Sequence, residues 1–167
     1  IQAHAELYMG LVEVGVGLIP AGGGTKEMTL RFSNGIIGGD VELNQLQEYF
    51  MNIATAKVST SAEEARGLGY LRASDGISLN RKRQLADAKS KVISLSDLGY
   101  TQPVPQRNIK VLGKSALAYF EAGVIGMIYG GYISEHDAKI AKKLANVMAG
   151  GDLSSPTEVT EQYLFCL

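Results

Sequence analysis

The segment Tyr8-Met-Gly-Leu-Val-Glu13-Val-Gly-Val-Gly-Leu-Ile-Pro20-Ala-Gly-Gly-Gly-Thr25 joins a run of apolar and β-branched residues to a glycine-rich turn. Residues 1–24 as a whole are rich in glycine and in β-branched or apolar residues, which predicts a buried strand followed by tight turns and then a helix from Thr25. Glu13 is the one side chain of the segment that ionises near neutral pH. Because Leu, Val and Ile surround it, desolvation should disfavour its charged form. Glu13 is therefore a candidate proton donor or acceptor.

Three stretches, taken in order, carry a resemblance to a known family. The first is Glu13 followed by Ile19-Pro20 and Gly22-Gly-Gly-Thr25, and the second is the alanine-spaced stretch 54–71. The third comprises 75–80 and 130–151. Together they resemble the enoyl-CoA hydratase/isomerase (crotonase) family. Within that family they are similar to the hydratase region at the C-terminal end of bacterial bifunctional 3-hydroxyacyl-CoA dehydrogenases.

The resemblance implies an α/β protein of the crotonase fold, with this chain as its later half, mostly helical and with a little strand near its N-terminus. It implies a parent enzyme that hydrates 2-enoyl-CoA in fatty-acid β-oxidation and is joined to an NAD-dependent 3-hydroxyacyl-CoA dehydrogenase. Glu13 matches one of the family's two proton-transferring glutamates, and the backbone at Ala21 and Gly22 matches the part that positions the water. The other glutamate and the oxyanion hole would precede Ile1, so the chain alone is expected to be inactive.

The resemblance also implies ligands and partners. Acyl-CoA is the expected substrate, and the missing N-terminal half of the domain and the dehydrogenase module are the expected partners. NAD is expected only in that module, with no cofactor bound by this chain. The sequence agrees, because Pro20 stands where a dinucleotide fingerprint starting at Gly15 and Gly17 needs its third glycine. His4 and His136 are far apart and have no cysteine cluster nearby, so no metal site is predicted.

Length, composition and net charge limit the classes of protein to which this chain can belong. A chain of 167 residues with 46% hydrophobic content is long enough for one domain or part of one. The formal net charge of -1 argues against a nucleic-acid partner. Cys166 is the only cysteine, which excludes an intrachain disulfide and favours a cytoplasmic location. The nearly uncharged stretch 115–133 is broken by glycines, which favours a core or subunit-contact helix over a membrane span. The family resemblance implies that such C-terminal helices can assemble the chain into a homo-oligomer.

Helix signals recur along the rest of the chain. A helix over about 41–56 is predicted from a candidate N-cap at Asp40 and the apolar repeat Leu43, Leu46, Phe50 and Ile53. A capping box at Ser61 and Glu64 predicts a short helix over 62–68. The stripe Leu85, Ala88, Val92 and Leu95 predicts a helix that stops at Gly99. Two further helices are predicted, one from Ser134 to Gly150 and one capped by Ser155, with Pro156 and Glu158 in its first turn.

These signals divide the chain into a core region 1–100, a proline-containing linker 101–114 and a helical packing or assembly region 115–167. Two alternatives to a hydratase stay open. One glutamate does not determine the reaction, so double-bond isomerisation or thioester hydrolysis is equally compatible with the same family. The second alternative is a non-catalytic helical interaction module that uses 115–133 as its assembly surface.

Overall fold

The computed structural model describes residues 1–38 and 41–167. The helices are α1 (Gly24–Gly35), α2 (Glu42–Ala54), α3 (Ala62–Gly67), α4 (Gln84–Asp97), α5 (Lys114–Tyr129), α6 (Glu135–Ala149) and α7 (Glu161–Phe165). The strands are β1 (Gln2–His4), β2 (Gly76–Ser78), β3 (Ile109–Val111) and β4 (Thr157–Val159). Short 3₁₀ turns occupy Glu13–Val16 and Arg81–Arg83. The chain is thus α/β and mostly helical with little sheet, as predicted, whereas the finer prediction of a crotonase fold is not confirmed.

One compact unit comprises Ile1–Gly10 and Val58–Val104. In it, β1 pairs in parallel with β2, with Gln2 opposite Gly76 and His4 opposite Ser78. α3 begins after Ser61, whose side chain accepts a hydrogen bond from the Glu64 N–H at 3.0 Å. The Glu64 carboxylate accepts from the Thr60 N–H at 2.7 Å. The predicted helix start at Ser61 is therefore confirmed, and the Glu64 carboxylate is hydrogen-bonded to Thr60.

The helix α4 lies on the surface of this unit. Its bounds agree with the predicted helix, and Gly99 follows it in a left-handed conformation with φ of 74°. None of the α4 residues is buried, however, and Leu85 is 83% exposed. The apolar stripe thus indicates the helix but does not pack into a core within this unit.

The second unit comprises Leu11–Lys57 and Pro105–Leu167. α2 confirms the predicted helix over 41–56, while the proposed N-cap Asp40 lies outside the described residues. The core of the unit is formed by apolar side chains from α1, α2, β3, α5 and α6. The largest fully buried ones are Phe32, Leu46, Ile53, Ile109, Leu144 and Met148.

α5 and α6 contact each other and form the largest helical part of the second unit. α5 buries Ala116, Phe120 and Val124, as predicted for a packing helix. No helix within 1–38 and 41–167 has both the length and the apolar character needed to cross a membrane. α6 has the predicted capping box between Ser134 and Asp137, and it ends at Gly150, where φ is 84°.

The prediction of a helix beginning at Ser155 and Pro156 is wrong. Thr157–Val159 forms β4, which pairs antiparallel with β3 in the register Val159 opposite Ile109. Val159 is 8% exposed, so its burial together with the strand pairing outweighs the local helix-start signals. The terminal helix α7 begins later, after Thr160, whose hydroxyl accepts from the Tyr163 N–H at 3.1 Å.

The predicted linker 101–114 contains regular structure. β3 lies within it, and Ile109 and Val111 are each 0% exposed. The chain passes from the first unit to the second between Val104 and Pro105, inside this stretch. The division into 1–100, 101–114 and 115–167 stays a prediction.

Candidate functional site

Glu13 opens a 3₁₀ turn rather than lying in a strand. The turn Glu13–Val16, called the Glu13 turn below, is closed by hydrogen bonds from the Gly17 N–H to the Val14 carbonyl at 3.1 Å and from the Leu18 N–H to the Glu13 carbonyl at 3.0 Å. The strand predicted within residues 1–24 is therefore limited to β1 (Gln2–His4), and the segment around Glu13 forms a turn instead. The physical reason is Gly17, whose φ of 85° turns the chain out of an extended path.

The Glu13 carboxylate is partly enclosed by the fold, and its role in proton transfer stays a prediction. The residue is half-buried, and its Oε2 is buried with no hydrogen-bond partner among the residues that the structure describes. Leaving a buried carboxylate oxygen unpaired costs free energy, so native proteins rarely do it without a functional reason. Glu13 is thus the strongest candidate for a reactive group in the second unit.

The segment that carries Glu13 is fastened to the rest of its unit at three points. Before the turn, Leu11 packs on Gly24, where an added Cβ would lie 2.6 Å from Leu11 Cδ2. After it, the Thr25 hydroxyl donates to the Pro20 carbonyl at 3.1 Å. Between these, His136 Nε2 lies 3.2 Å from the Gly17 carbonyl oxygen.

An apolar cavity of about 220 Å³ lies against the Glu13 turn. Its wall includes Val14, Gly15, Phe50, Met51, Val124 and Met127. Asp137 supplies a carboxylate to the lining. The Ser134 hydroxyl donates to that carboxylate at 2.7 Å and holds the pKa of Asp137 below its ordinary value. Asp137 is therefore committed to capping α6, and the cavity is suited to an apolar group.

Ala21 and Gly22, the predicted water-positioning backbone, lie in the exposed turn before α1. Ala21 lines a cavity of about 150 Å³ together with Lys26 and Phe165. Glu13 is not among the residues that line this cavity or the 220 Å³ cavity. The structure therefore does not bring Glu13 and Ala21 together at one cavity, and a role for Ala21 and Gly22 stays a prediction.

An ionic cluster stands near the glycine turn. Lys26 Nζ lies 2.8 Å from Glu161 Oε2, and 5.3 Å from the centroid of the Phe165 ring. The other oxygen of Glu161 accepts from the Gln106 N–H at 2.7 Å. The hydrogen bond from Lys26 lowers the pKa of Glu161 below its usual value. This cluster links α7 to the first turn of α1.

Each of the two histidines contacts a backbone group. His4 Nδ1 accepts from the Glu6 N–H at 3.2 Å, and His136 contacts Gly17. Across residues 1–38 and 41–167, no three His, Cys, Asp or Glu side chains gather as a metal site would require. The absence of a metal stays a prediction.

The glycine turn before α1 lacks the arrangement of a dinucleotide fingerprint, and the expected absence of a cofactor from this chain stays a prediction. A dinucleotide fingerprint places its glycine turn directly between a strand and a helix. In this chain the glycine turn before α1 follows the Glu13 turn instead of a strand. Among the described residues, the parallel pairing is that of β1 with β2, which have three residues each.

The sequence favours an ordinary surface or cap role for His136 over a metal ligand, and it does not predict the contact with Gly17. The two residues are 119 positions apart, and no local pattern joins them. The sequence offers one signal for this contact, which is that His136 lies in the first turn of a helix whose N-cap can be predicted. Thr25 was recognised only as the first residue of a helix.

Comparison with known proteins gives one informative match. The chain is 49% identical over 164 residues to "Probable 3-hydroxyacyl-CoA dehydrogenase" of Bacillus subtilis (strain 168). The match covers 98% of this chain and 20% of the relative, so the chain spans about a fifth of the length of that protein. No protein-family model matches the chain. No solved structure matches it.

These findings correct the predicted membership of the enoyl-CoA hydratase/isomerase family. No family model supports that membership, and the relative's name refers to the dehydrogenase reaction. The segments from which the membership was predicted are short, and glycine turns, spaced alanines and capped helices occur in many folds. The link to fatty-acid oxidation therefore rests on similarity to a 3-hydroxyacyl-CoA dehydrogenase.

Proposed function

We propose that this chain is part of a 3-hydroxyacyl-CoA dehydrogenase that acts in fatty-acid oxidation, with an acyl-CoA thioester as its substrate. The observation that carries the proposal is the 49% identity over nearly the whole chain to a protein of that name. Because the chain spans a fifth of that relative, the full reaction requires residues outside this chain. The proposal includes a cytoplasmic location and contact with a dehydrogenase module.

Glu13 is the proton-transfer group of the proposal. Oxidation of a 3-hydroxyl group releases a proton, and a carboxylate held away from water can accept it. The buried and unpartnered Oε2 supports this role, as does the apolar cavity against the same turn. A carboxylate already satisfied by a cation would be a weaker acceptor, which is why Glu42, paired with Lys110, is not proposed.

NAD would accept the hydride when it is bound elsewhere in such a dehydrogenase. No step proposed for this chain passes through that cofactor. The contribution proposed for this chain is a proton acceptor, Glu13, and an apolar cavity that is lined by Val14 and Gly15 of the same turn.

The experiment compares variants of the native-length protein that carries this chain. Oxidation of a short 3-hydroxyacyl-CoA with NAD is followed for wild type, Glu13→Gln and Glu48→Gln. We expect Glu13→Gln to lower kcat by about a hundredfold, the contribution of a positioned acid or base. Glu48 is an exposed carboxylate on α2, so the same chemical change there should leave the rate unaltered. An unaltered rate in Glu13→Gln would remove Glu13 from the reaction.

A non-catalytic interaction module is the second candidate. The end of α5 and the loop after it expose large aromatic side chains, with Tyr129 88% and Tyr132 81% exposed. Under this candidate, the double variant Tyr129→Ser and Tyr132→Ser reduces the assembly measured by light scattering. Wild-type turnover in Glu13→Gln together with such a loss of assembly would favour the module over the enzyme.

A further inference from the structure

Gly17, the residue that directly follows the Glu13 turn, is contacted by the side chain of His136 from α6. The Gly17 N–H is used inside the turn, in its bond to the Val14 carbonyl. The Gly17 carbonyl is directed outward and lies 3.2 Å from His136 Nε2. Since a carbonyl oxygen can only accept, the histidine must carry its proton on Nε2 for this contact to be a hydrogen bond.

Gly17 is suited to this contact in two ways. Its φ of 85° lies in the left-handed region that side chains disfavour. A Cβ added to Gly17 would also lie 3.2 Å from His136 Nε2. The absence of a side chain therefore lets the imidazole approach the backbone directly.

The position of His136 is fixed by the helix that carries it. It is the second residue of α6, whose start is fixed by the reciprocal hydrogen bonds between Ser134 and Asp137. Further along, α6 buries Leu144 and Met148, each 0% exposed. A side chain carried by this helix can thus transmit a fixed position to the Glu13 turn, whereas a loop residue could not.

We infer that His136 is a positioning residue for Glu13. Its hydrogen bond to the Gly17 carbonyl fixes the 3₁₀ turn from which the Glu13 carboxylate projects. The contacts of Leu11 with Gly24 and of Thr25 with Pro20 are made farther along the chain from the turn than Gly17 is. Without His136 the turn gains freedom, and the carboxylate spends less time where it can take a proton. This inference rests on the proton-transfer role proposed for Glu13.

The kinetic test uses two replacements that differ in one property. His136→Phe keeps a planar ring and removes the N–H donor, while His136→Gln keeps an N–H donor at a similar reach. We expect kcat of the native-length protein to fall about fivefold in His136→Phe, the rate equivalent of one hydrogen bond, and to stay within about twofold of wild type in His136→Gln. KM for the acyl-CoA should not change, since the lost bond does not touch substrate.

A double variant separates positioning from general destabilisation. If His136 acts through Glu13, adding His136→Phe to Glu13→Gln should lower kcat no further. A further fivefold loss in the double variant would overturn the inference, as would equal losses in His136→Phe and His136→Gln. An unaltered rate in Glu13→Gln would instead reject the proton-transfer role itself. A reduced rate in Glu13→Gln with wild-type kcat in His136→Phe would reject only the inference about His136.

A measurement on the unmodified chain does not depend on activity or on the folding of variants. Nitrogen-15 NMR of the imidazole at about pH 8, where an ordinary histidine is neutral, identifies which ring nitrogen carries the proton. We expect His136 to be the Nε2–H tautomer. A predominant Nδ1–H tautomer could not donate to the Gly17 carbonyl and would overturn the inference.

Discussion

Lys26 Nζ lies 2.8 Å from Glu161 Oε2, although the two residues are 135 positions apart in the chain. Both side chains are mostly shielded from solvent, with 13% and 20% of their surfaces exposed. Glu161 also accepts from the Gln106 backbone. Within the second unit, the Glu161 carboxylate therefore joins α1, α7 and the backbone at Gln106, which precedes β3.

This relationship predicts a dependence of stability on pH. The hydrogen bond from Lys26 lowers the pKa of Glu161 in the folded chain, so folding favours its charged form. The stabilisation is complete above the unfolded pKa of about 4.3 and is lost as the pH falls through the lower folded value. Urea unfolding should show Glu161→Gln less stable than wild type by about 1 kcal/mol at pH values above that range. The difference should disappear in acid, and a difference that is independent of pH would contradict this account.

A second prediction concerns the stacked rings of Phe50 and Phe120, whose centroids are 4.5 Å apart with an interplanar angle of 20°. Phe120 is 3% exposed, so Phe120→Ala leaves a cavity and should lower the free energy of unfolding by about 3–5 kcal/mol. Tyr129→Ala on the same helix, where the ring is 88% exposed, should change it by less than about 0.5 kcal/mol. Chemical denaturation of both variants tests the contrast. Equal effects would mean that the rings do not form a core contact.

A third prediction concerns the glycine that ends α6. Gly150 has a φ of 84°, and an added Cβ would lie 2.6 Å from Val111 Cβ. Gly150→Ala should therefore destabilise the chain by about 3 kcal/mol, from backbone strain and overlap together. Gly123 provides the matched control, since it lies within α5 and a Cβ there meets nothing within 4 Å. Gly123→Ala should raise the melting temperature, and a lowered one would show that α5 needs a glycine there.

The first turn of α6 supplies a fourth prediction. The Ser134 hydroxyl accepts from the Asp137 N–H at 3.1 Å, so Ser134→Ala should lower the free energy of unfolding by about 1 kcal/mol. Ser155 was expected to cap a helix in the same way, but a strand follows it instead. Ser155→Ala should consequently stay within about 0.5 kcal/mol of wild type. A larger loss at Ser155 than at Ser134 would contradict the capping roles assigned to them.

The contrast between Ser134 and Ser155 shows which parts of the secondary structure can be predicted from the sequence alone. The start of α6 could be predicted because three signals lie within a few positions of one another and agree. They are the N-cap Ser134, the capping-box residue Asp137 and the apolar repeat of the helix. The signals at Ser155 were equally local, but β4 pairs with β3, whose residues lie about fifty positions earlier in the chain, as with Val159 opposite Ile109. Such pairing is invisible in a local pattern, so tertiary context overrode the helix signal.

The candidate site was predictable to the same limited extent. Glu13 could be selected because it is a single carboxylate among apolar residues, which is a property of adjacent positions. The contact between Gly17 and His136 joins residues 119 positions apart, which no local pattern reveals. The family was predicted wrongly because short motifs describe turns and helix ends, which unrelated folds share.

The last prediction links stability to the proposed role of Glu13. An unpaired buried carboxylate oxygen costs free energy, and an uncharged amide of the same shape costs less. Glu13→Gln should therefore raise the free energy of unfolding by about 1 kcal/mol while it lowers the rate of the proposed reaction. Glu48→Gln, on the exposed side of α2, should change neither quantity. Thermal and urea unfolding of wild type and of the two variants measure these changes in the free energy of unfolding. If Glu13→Gln were destabilised instead, the carboxylate would have a partner in the folded chain, and the case for a proton-transfer group would lose its structural support.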